Sequence, residues 1–430
     1  MNNQPEKKYV IGFDLNDQVS QLSYLEVDSV NTETMNMDTG EEKLGIPTVL
    51  CKCHSVSQWY FGTEAKRVAE LSEGTLVGKL LSFARAGAKI ELEGEAYESI
   101  DLLILFIKRA LNMLTMLTSP TQVEALIFTV ETLEGRMLGV LEKIADAMKI
   151  DRNKIFFQTY EESCYYYLLH QNKDLWKDEA IIFDYSDNCL KAYELWLNHR
   201  TTPIVGFAET KVFEEIKLPE VMLNQEHFHD AEEKLDEFVL ASVHEYFSGK
   251  AVTSVFLIGD GFDGSWCEKT LRYLCLNKRV FRGKNLYAKG AAFCARDKVA
   301  PTELNKNYIF LGKDKLKFNL GTRMNCMGEE KYIAIVDAGE NWYDATAQID
   351  FLLDEGIDVP LVITPLDGKD PIDIHITLDG LPQRPRRASR LQLFVKFESE
   401  KNIIIRVKDL GFGEMYQSCN KVWEKQLEIV

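Results

Sequence analysis

The sequence has little that would suit binding to a nucleic acid or to a membrane surface. Its 50 Lys and Arg residues are outnumbered by 67 Asp and Glu residues, which gives a formal net charge of -17 at pH 7. A phosphate backbone or an anionic lipid surface would be repelled over most of such a protein. We therefore expect neither nucleic acid nor membrane among its main partners.

Long apolar runs and a secretion signal are also lacking. The longest apolar-looking helix, residues 100–117, is interrupted by charged or polar residues too often for a membrane span. The first eight residues contain no apolar run and lead directly into a predicted strand, which is not the pattern of a cleavable signal. These features predict a cytoplasmic protein.

The nine cysteines have no regular spacing, so the sequence does not predict a disulfide framework. A reducing compartment is the simplest interpretation. Cys51, Cys53 and His54 lie close together, but no second ligand pair at zinc-site spacing accompanies them. We expect these two cysteines to lie on one face of a strand.

An acidic strand–turn–strand pattern occurs twice. Residues 9–27 form an apolar strand that ends at Asp14, then a polar turn and a returning strand. Residues 180–196 repeat this pattern with Asp184 at the end of the first strand. A carboxylate next to the exposed N–H groups of a turn is typical of a site for a phosphate or its metal. Two such hairpins predict two related lobes with a cleft between them.

The segments after the hairpins strengthen this interpretation. Residues 123–170 and 253–296 each follow the order strand, helix, strand, helix. The alternative is a generic α/β domain without a duplicated architecture. With 430 residues, of which 46% are hydrophobic, the chain is long enough for two or three domains.

Helical patterning stops after residue 296, and the rest of the chain is a series of short alternating runs. Such runs, separated by turn residues, predict an antiparallel β-sandwich that begins after a boundary near Ala300 and Pro301. The predicted strands cover residues 316–320, 332–336, 345–351, 361–364, 372–378, 391–397 and 403–407.

In order, these segments resemble the DnaK-type, seventy-kilodalton heat-shock chaperone family. Residues 11–15 (Ile-Gly-Phe-Asp-Leu) and 183–184 (Phe-Asp) resemble its two phosphate motifs, and residues 258–261 (Ile-Gly-Asp-Gly) resemble its adenosine-contacting loop. The most specific match lies within residues 378–413, which begin Leu-Asp-Gly-Leu-Pro-Gln-Arg-Pro-Arg and resemble the end of its peptide-binding sandwich. The resemblance covers nearly the whole chain.

The resemblance implies a two-lobed, actin-like ATPase fold with duplicated βββαβα lobes, followed by an all-β sandwich. The expected domains are a nucleotide-binding-type body over residues 1–300, with lobes at about 1–178 and 179–300, a linker over 301–315, a substrate-binding-like sandwich over 316–413 and a short C-terminal helix over 414–430. So short a C-terminal segment leaves no room for the family's helical lid.

The family's site residues can be carried over only where the motifs match. Asp14 and Asp184 are implied as catalytic and metal-binding carboxylates, and Lys79 as the catalytic lysine. The implied nucleotide contacts are Gly12, Asn16, Asp17, Ser186, Asp187, Gly259 and Gly261. The implied cofactor is ATP or ADP with Mg²⁺. The alternative, that no cofactor binds, follows from the departures described next.

The departures from the family occur where ATP chemistry needs close backbone approach to the phosphates. The family's glycine-threonine-threonine turn is Asn16-Asp17-Gln18 here, and its second glycine turn is Ser186-Asp187-Asn188. Asp17 and Asp187 would each face a polyphosphate, at a cost on the order of several kcal/mol without an intervening metal. We therefore expect no ATPase activity, or very weak activity.

Two hypotheses follow. In the first, the chain is a degenerate, lidless relative of these chaperones that binds an extended polypeptide or a dedicated protein partner through its β-sandwich. In the second, it is an active ATP-dependent chaperone whose nucleotide state controls peptide binding. The first is favoured because the substitutions cluster in the phosphate turns.

Overall fold

The computed structural model describes residues 7–36, 44–54, 56–214, 228–326, 329–366 and 369–429. The protein is mixed α/β, with several sheets and a β-rich C-terminal region. It divides into two compact units. Unit 1 comprises Met1–Asn198 and Gly206–Tyr308, and unit 2 comprises His199–Val205 and Ile309–Val430.

The elements up to residue 169 include a six-residue strand, β1, that is buried along its whole length. In chain order they are β1 (Tyr9–Asp14), β2 (Val19–Glu26), β3 (Glu33–Thr34), β4 (Ile46–Pro47), β5 (Leu50–Cys53), β6 (Trp59–Phe61), α1 (Gly62–Glu70), β7 (Gly74–Val77), α2 (Leu80–Ala86), β8 (Lys89–Leu92), β9 (Glu95–Glu98), α3 (Ser99–Asn112), β10 (Val123–Val130), α4 (Met137–Ala147), β11 (Ile155–Thr159) and α5 (Tyr160–Leu169).

The elements from residue 179 to residue 310 follow a similar course. They are β12 (Glu179–Ser186), β13 (Cys189–Asn198), β14 (Ile204–Phe213), α6 (Phe228–Tyr246), β15 (Val252–Ile258), α7 (Glu268–Leu274), β16 (Arg279–Arg282), α8 (Leu286–Val299), α9 (Glu303–Asn307) and β17 (Tyr308–Phe310). The two hairpins predicted from the sequence are present, as β1–β2 and β12–β13.

The main sheets of the two halves of unit 1 have the same strand order. In the first sheet, β11, β10 and β1 run parallel and β2 returns antiparallel to β1. In the second, β16, β15 and β12 run parallel and β13 returns antiparallel to β12. Asp14 and Asp184 therefore occupy the same position, at the carboxyl end of the strand that begins each hairpin. The central strands are almost continuously apolar because both of their faces are covered.

Each half contributes a helix that packs against the sheet of the other half. Helix α8 follows the second sheet in the chain, but its buried face, including Ala291 and Ala295, packs against Val10 and Ile127 of the first. Helix α5 follows the first sheet, and its Tyr167 ring contacts Phe256 of β15 edge-on with centroids 5.8 Å apart. The two halves therefore share their apolar cores.

Gly12 in β1 allows α8 to lie this close, which predicts a cost for any side chain there. A Cβ at Gly12 would lie 2.2 Å from the Ala288 carbonyl oxygen and 2.4 Å from the Ala292 nitrogen, both of them backbone atoms. We expect Gly12→Ala to lower the free energy of unfolding by about 1–3 kcal/mol because backbone must move. Urea unfolding followed by circular dichroism measures this loss.

Gly139 provides the matched control for the Gly12 variant. It lies inside helix α4, and a Cβ added there would meet no atom within 4 Å. Gly139→Ala should therefore stabilise the protein by about 0.5–1 kcal/mol through helix propensity alone. Equal effects of the two changes would contradict the close approach of α8 to β1.

Unit 2 contains two antiparallel sheets whose inner faces share one hydrophobic core. One sheet has the strand order β19-β18-β21-β22 and the other β20-β23-β24-β25. The strands are β18 (Phe318–Cys326), β19 (Glu329–Val336), β20 (Thr346–Leu353), β21 (Asp358–Pro365), β22 (Ile372–Thr377), β23 (Ser389–Phe397), β24 (Asn402–Asp409) and β25 (Val422–Glu428). Leu320, Leu361, Leu393 and Ile405 lie in the core between the sheets.

The prediction of a short helix over residues 414–430 was wrong. The structure has strand β25 there, paired antiparallel with β24. Trp423 and Leu427 pack against the core of unit 2. Their separation of four residues fits one face of a helix and equally one face of a strand, so their spacing alone did not distinguish the two.

The predicted linker over residues 301–315 is not an unstructured connection. It contains α9 and β17. The Thr302 and Asn305 side chains form a capping box at the start of α9, with Asn305 Oδ1 accepting from the Thr302 amide at 2.9 Å. A polar cap just before a short helix was the sequence signal for this element.

Candidate functional site

The two acidic hairpins of unit 1 face one cavity with a volume of about 480 Å³. Both turns line it, as does the loop after β15. Seven of the residues predicted as site residues therefore meet in one place. They are Asp14, Asn16, Asp17, Asp184, Ser186, Asp187 and Gly259.

Two stacked tyrosines form the floor of this cavity. The Tyr160 hydroxyl donates to Asp14 Oδ1 at 2.7 Å, and the Tyr287 hydroxyl donates to Asp184 Oδ2 at 2.7 Å. The two rings are nearly parallel, at 7°, with centroids 3.9 Å apart. Tyr160 begins α5 and Tyr287 lies in the first turn of α8, so equivalent positions of the two halves meet. We call this set of four side chains the Asp–Tyr floor.

Burial controls the ionisation of both carboxyl groups of the Asp–Tyr floor. Asp14 is only 4% exposed and Asp184 only 7%. Burial raises the pKa of Asp14 to about 7, the charge of Asp184 adds to the rise, and the hydrogen bond from Tyr160 opposes it. Burial also raises the pKa of Asp184, against hydrogen bonds from Ser186 and Tyr287. Near neutral pH a substantial fraction of Asp14 is therefore uncharged.

The two tyrosines of the Asp–Tyr floor were not predicted from the sequence. Burial raises the pKa of both tyrosines well above 10.0, so they remain hydrogen-bond donors. A signal was available, because each tyrosine starts the helix that ends its half of the duplicated pattern. Aligning the two halves on Asp14 and Asp184 would have brought these positions together.

In the first hairpin turn, side-chain oxygens accept hydrogen bonds from backbone amides. Asn16 Oδ1 accepts from the backbone N–H groups of Gln18 and Val19 at 2.9 and 2.8 Å. Asp17 Oδ1 accepts from the Leu81 amide at 2.8 Å, and its carboxylate also accepts from the Ser82 amide and hydroxyl. Asp17 therefore binds the start of α2, and the amides of Gln18 and Val19 are already used.

The second turn lies opposite and carries a left-handed backbone. Asp187 and Asn188 have φ of 52° and 57°. These values fit the two-residue turn that joins a tight hairpin. At such positions glycine is the most favoured residue, and Asn and Asp come next. The Ser186 hydroxyl donates back to Asp184 Oδ1 at 2.5 Å. Burial raises the pKa of Asp187, and repulsion by the negative charge of Asp260 raises it further, because several carboxyl groups are close together in this cavity.

Three predicted site residues do not line the cavity. Gly12 lies within β1 and packs against α8, as described above. Gly261 packs on β12, where an added Cβ would lie 2.5 Å from the Tyr185 ring and 2.6 Å from its carbonyl oxygen. Lys79 is exposed at the start of α2, with a left-handed φ of 52°. These two glycines allow close packing of neighbouring elements, and the lysine side chain is outside the site.

One basic side chain that lines the cavity, Lys191, already forms an ion pair with a neighbouring carboxylate. Lys191, which stands opposite Asp184 in the β12–β13 ladder, forms an ion pair with Glu131. Across the parts of the chain that the structure describes, no group of three or more His, Cys, Asp or Glu side chains is arranged to hold a metal ion. The residues at the floor therefore do not fit a preformed Mg²⁺ site, because hydroxyl donors occupy oxygens of both carboxylates.

None of the described helices is both long and apolar enough to cross a membrane. The fold and the site together define a mixed α/β protein with two related sheets around an acidic cavity, followed in the chain by a β-rich unit.

Residues 31–313, about two thirds of the chain, match the family of unknown function DUF5716, C-terminal, and the chain belongs to this family. Residues 315–429 match the domain of unknown function DUF8552. The two matches meet at residues 313–315, a few residues after Tyr308, where the second stretch of unit 1 ends. No curated protein matches the chain.

Proposed function

We propose that the protein is a heat-shock-chaperone-like binding module with an actin-like body whose cleft does not hydrolyse ATP. Its β-rich unit would bind an extended polypeptide or a dedicated protein partner. The observation that carries this proposal is the Asp–Tyr floor. The two carboxyl groups that would contact the metal and phosphates are buried and accept hydrogen bonds from two tyrosines whose rings stack on each other.

The first hairpin turn supports the same conclusion. A phosphate cradle needs free backbone N–H groups that point into the site. Here Asn16 accepts from two of these N–H groups, and Asp17 adds a carboxylate at the rim. A polyphosphate would have to displace the Asn16 side chain and approach several carboxylates, and among the described residues no cluster of ligands is arranged to hold a metal ion that would offset their charge.

The proposed relation to the chaperone family rests on the order of the structural elements along the chain and on the position of the motifs within them. The duplicated sheets, the exchanged helices α5 and α8 and the acidic cleft follow the order expected of an actin-like body. The residues that most specifically resemble the peptide-binding sandwich, 378–413, include the β23–β24 pair. In this proposal the body is a rigid scaffold and the β-rich unit provides recognition.

Recognition by unit 2 is supported by how firmly one of its loops is held. Arg384 donates two parallel hydrogen bonds of 2.7 Å to the Asp409 carboxylate. Asp409 also accepts from the amides of Gly411 and Cys419, at 3.0 and 2.7 Å. This network fixes the loop after β24, where Phe412 and Met415 remain exposed. A fixed loop with exposed apolar side chains suits binding to an apolar peptide.

Calorimetry with ATP and MgCl₂ tests the proposal. We expect no binding heat at millimolar nucleotide, and no phosphate release above the rate without protein. The physical reason is that phosphate oxygens would meet the Asn16 and Asp17 side chains and two desolvated carboxylates. Titrations with ADP and without Mg²⁺ serve as further comparisons.

Asp14→Ala is the matched control for this titration. Saturable ATP binding to the unmodified protein that Asp14→Ala abolishes would overturn the proposal and support the alternative, an ATP-dependent chaperone. Two observations favour that alternative. The cavity is within the usual size range of ligand sites, and Gly259 on its wall has a φ of 93° that only glycine adopts readily.

A further inference from the structure

One long segment of this acidic protein carries only positive charge. Residues 269–296 contain eight Lys or Arg residues and no Asp or Glu, although the whole chain has a net charge of -17. The middle of this segment is strand β16 with its flanking residues. Lys278, Arg279, Arg282 and Lys284 lie there within seven positions.

Strand β16 is at the edge of the second sheet. It pairs in parallel with β15, and no other described strand pairs with it. The Gly283 amide donates to the Leu257 carbonyl at 3.0 Å. Because alternate residues of a parallel ladder point to the same neighbour, Val280 and Arg282 direct their N–H and C=O groups away from β15. A row of main-chain donors and acceptors is therefore open at this edge.

The side chains at this edge are exposed and flank an aromatic ring. Arg279 and Arg282 are exposed, and Phe281 is 38% exposed while it stacks on Phe256 with ring centroids 5.0 Å apart. Arg282 has a long ion pair of 3.8 Å with Asp263. The edge thus combines unpaired backbone groups with two arginines and an apolar surface. We call residues 278–284 the basic edge.

We propose that the basic edge binds an extended, acidic segment of a partner polypeptide by strand addition. Main-chain hydrogen bonds to Val280 and Arg282 would supply register and affinity, as in other complexes in which a peptide extends a sheet. One acidic side chain of the segment would pair with Arg279 and another, on the opposite face of the sheet, with Arg282, while the exposed part of Phe281 would contact an aliphatic side chain on the same face as Arg279. This goes beyond the proposed function, because the basic edge does not depend on the state of the cleft.

The observations favour this partner over two others. A nucleic acid makes no use of an open strand edge, and the net charge of -17 repels it elsewhere. A second copy of the chain paired antiparallel through β16, with Val280 opposite Arg282, would place Lys278 opposite Lys284, and like charges directly opposite each other destabilise a sheet. An acidic strand satisfies both the backbone groups and the charges.

Fluorescence anisotropy with a labelled peptide of the repeat Glu-Glu-Val-Val, which presents both Glu and Val on each face of a strand, tests the proposal. We expect saturable binding that weakens as salt is added, and no binding of the matched peptide of the repeat Lys-Lys-Val-Val. Arg279→Glu should weaken binding by about tenfold or more, because it places a like charge beside the peptide. Lys66→Glu is the control: it changes the net charge by the same amount at an exposed position of α1. It should change affinity by less than about twofold.

A second pair of variants tests the main-chain contacts. Arg282→Ala removes one charge, whereas Arg282→Pro also removes the outward N–H and leaves the bonds to β15 in place. We expect the proline variant to bind more weakly than the alanine variant, with unchanged circular dichroism. If the proline variant does not fold, Arg279→Glu still decides the question.

Several results would overturn the proposal. These are equal binding of the two peptides, an affinity unaffected by Arg279→Glu, and tighter binding of a single-stranded DNA oligonucleotide than of the acidic peptide. Dimerisation of the protein that Arg279→Glu abolishes would assign the edge to a second copy instead.

Discussion

Arg384→Ala is expected to lower the free energy of unfolding of unit 2 by about 3–5 kcal/mol. The Arg384 and Asp409 side chains are 3% and 0% exposed, and the guanidinium donates two parallel bonds to the carboxylate. Burial by itself would raise the pKa of Asp409, but Arg384 and the Cys419 amide more than offset it and hold this pKa well below 3.8. Removing Arg384 would leave an ionised carboxylate in the interior without its partner.

Guanidinium unfolding gives the size of this loss, and hydrogen exchange locates it. Amides of residues 402–409 and 422–428 should exchange much faster in the variant, because they belong to the strands beside the ion pair. Arg386→Ala is the matched control, since Arg386 pairs with Asp354 at an exposed site and should cost less than about 1 kcal/mol. If the two variants lost similar amounts of unfolding free energy, burial would not be the reason why the Arg384–Asp409 pair matters for stability.

A double replacement distinguishes the contribution of the Arg384–Asp409 ion pair from that of the backbone amides that also bind Asp409. Arg384→Met together with Asp409→Leu removes both charges, and such changes often recover stability. Here recovery should be incomplete, because the amides of Gly411 and Cys419 would lose the carboxylate that accepts their hydrogen bonds.

Asp14→Asn is expected to stabilise the protein above pH 7. Burial raises the pKa of Asp14 from 3.8 to about 7, so the folded state favours the protonated carboxyl group. The stability that this group contributes is present in full below pH 3.8 and is lost as the pH rises to about 7. At about 1.4 kcal/mol per pKa unit the loss is about 4 kcal/mol. Asparagine avoids this loss and can still accept the Tyr160 hydrogen bond through its amide oxygen.

Urea unfolding of the variant and the unmodified protein between pH 4 and pH 8 measures this effect. Other carboxyl groups titrate in the same range, so the informative quantity is the difference between the two proteins at each pH. It should be small near pH 4 and reach about 2–4 kcal/mol in favour of Asp14→Asn at pH 8. Exposed Asp28→Asn is the control and should change stability by less than about 0.5 kcal/mol at every pH. Destabilisation by Asp14→Asn at pH 8 would mean that the carboxylate is held ionised by a group such as a bound metal.

The sequence contained enough information to find the hairpins and their acidic turns. Strand β1 is apolar and buried throughout, Asp14 is its last residue, and a polar turn follows it. Strand β12 repeats these features up to Asp184. Both carboxylates line one cavity, because β1 and β12 occupy the same place in two related sheets and each presents its carboxyl end to that cavity.

The side chains that define the chemistry of the cavity were harder to predict. Asp17 binds the amide of Leu81, which is 64 positions away in the sequence, so its partner depends on the tertiary structure. Tyr160 and Tyr287 resemble ordinary core aromatics until the two halves are brought together. Gly12 and Gly261 match a nucleotide motif, but a glycine needed by a neighbouring helix or strand looks the same in sequence as one needed by a phosphate.

The exchange of α5 and α8 makes each half of unit 1 an incomplete folding unit. If the chain were divided after residue 178, the N-terminal fragment would lack the alanine-rich helix that covers Val10 and Ile127, and the C-terminal fragment would lack the helix that contacts Phe256. Neither fragment could bury its sheet, but a mixture of the two could restore both interfaces. Partner binding by unit 1 should therefore be recoverable by co-expression of the halves, as in a split reporter protein.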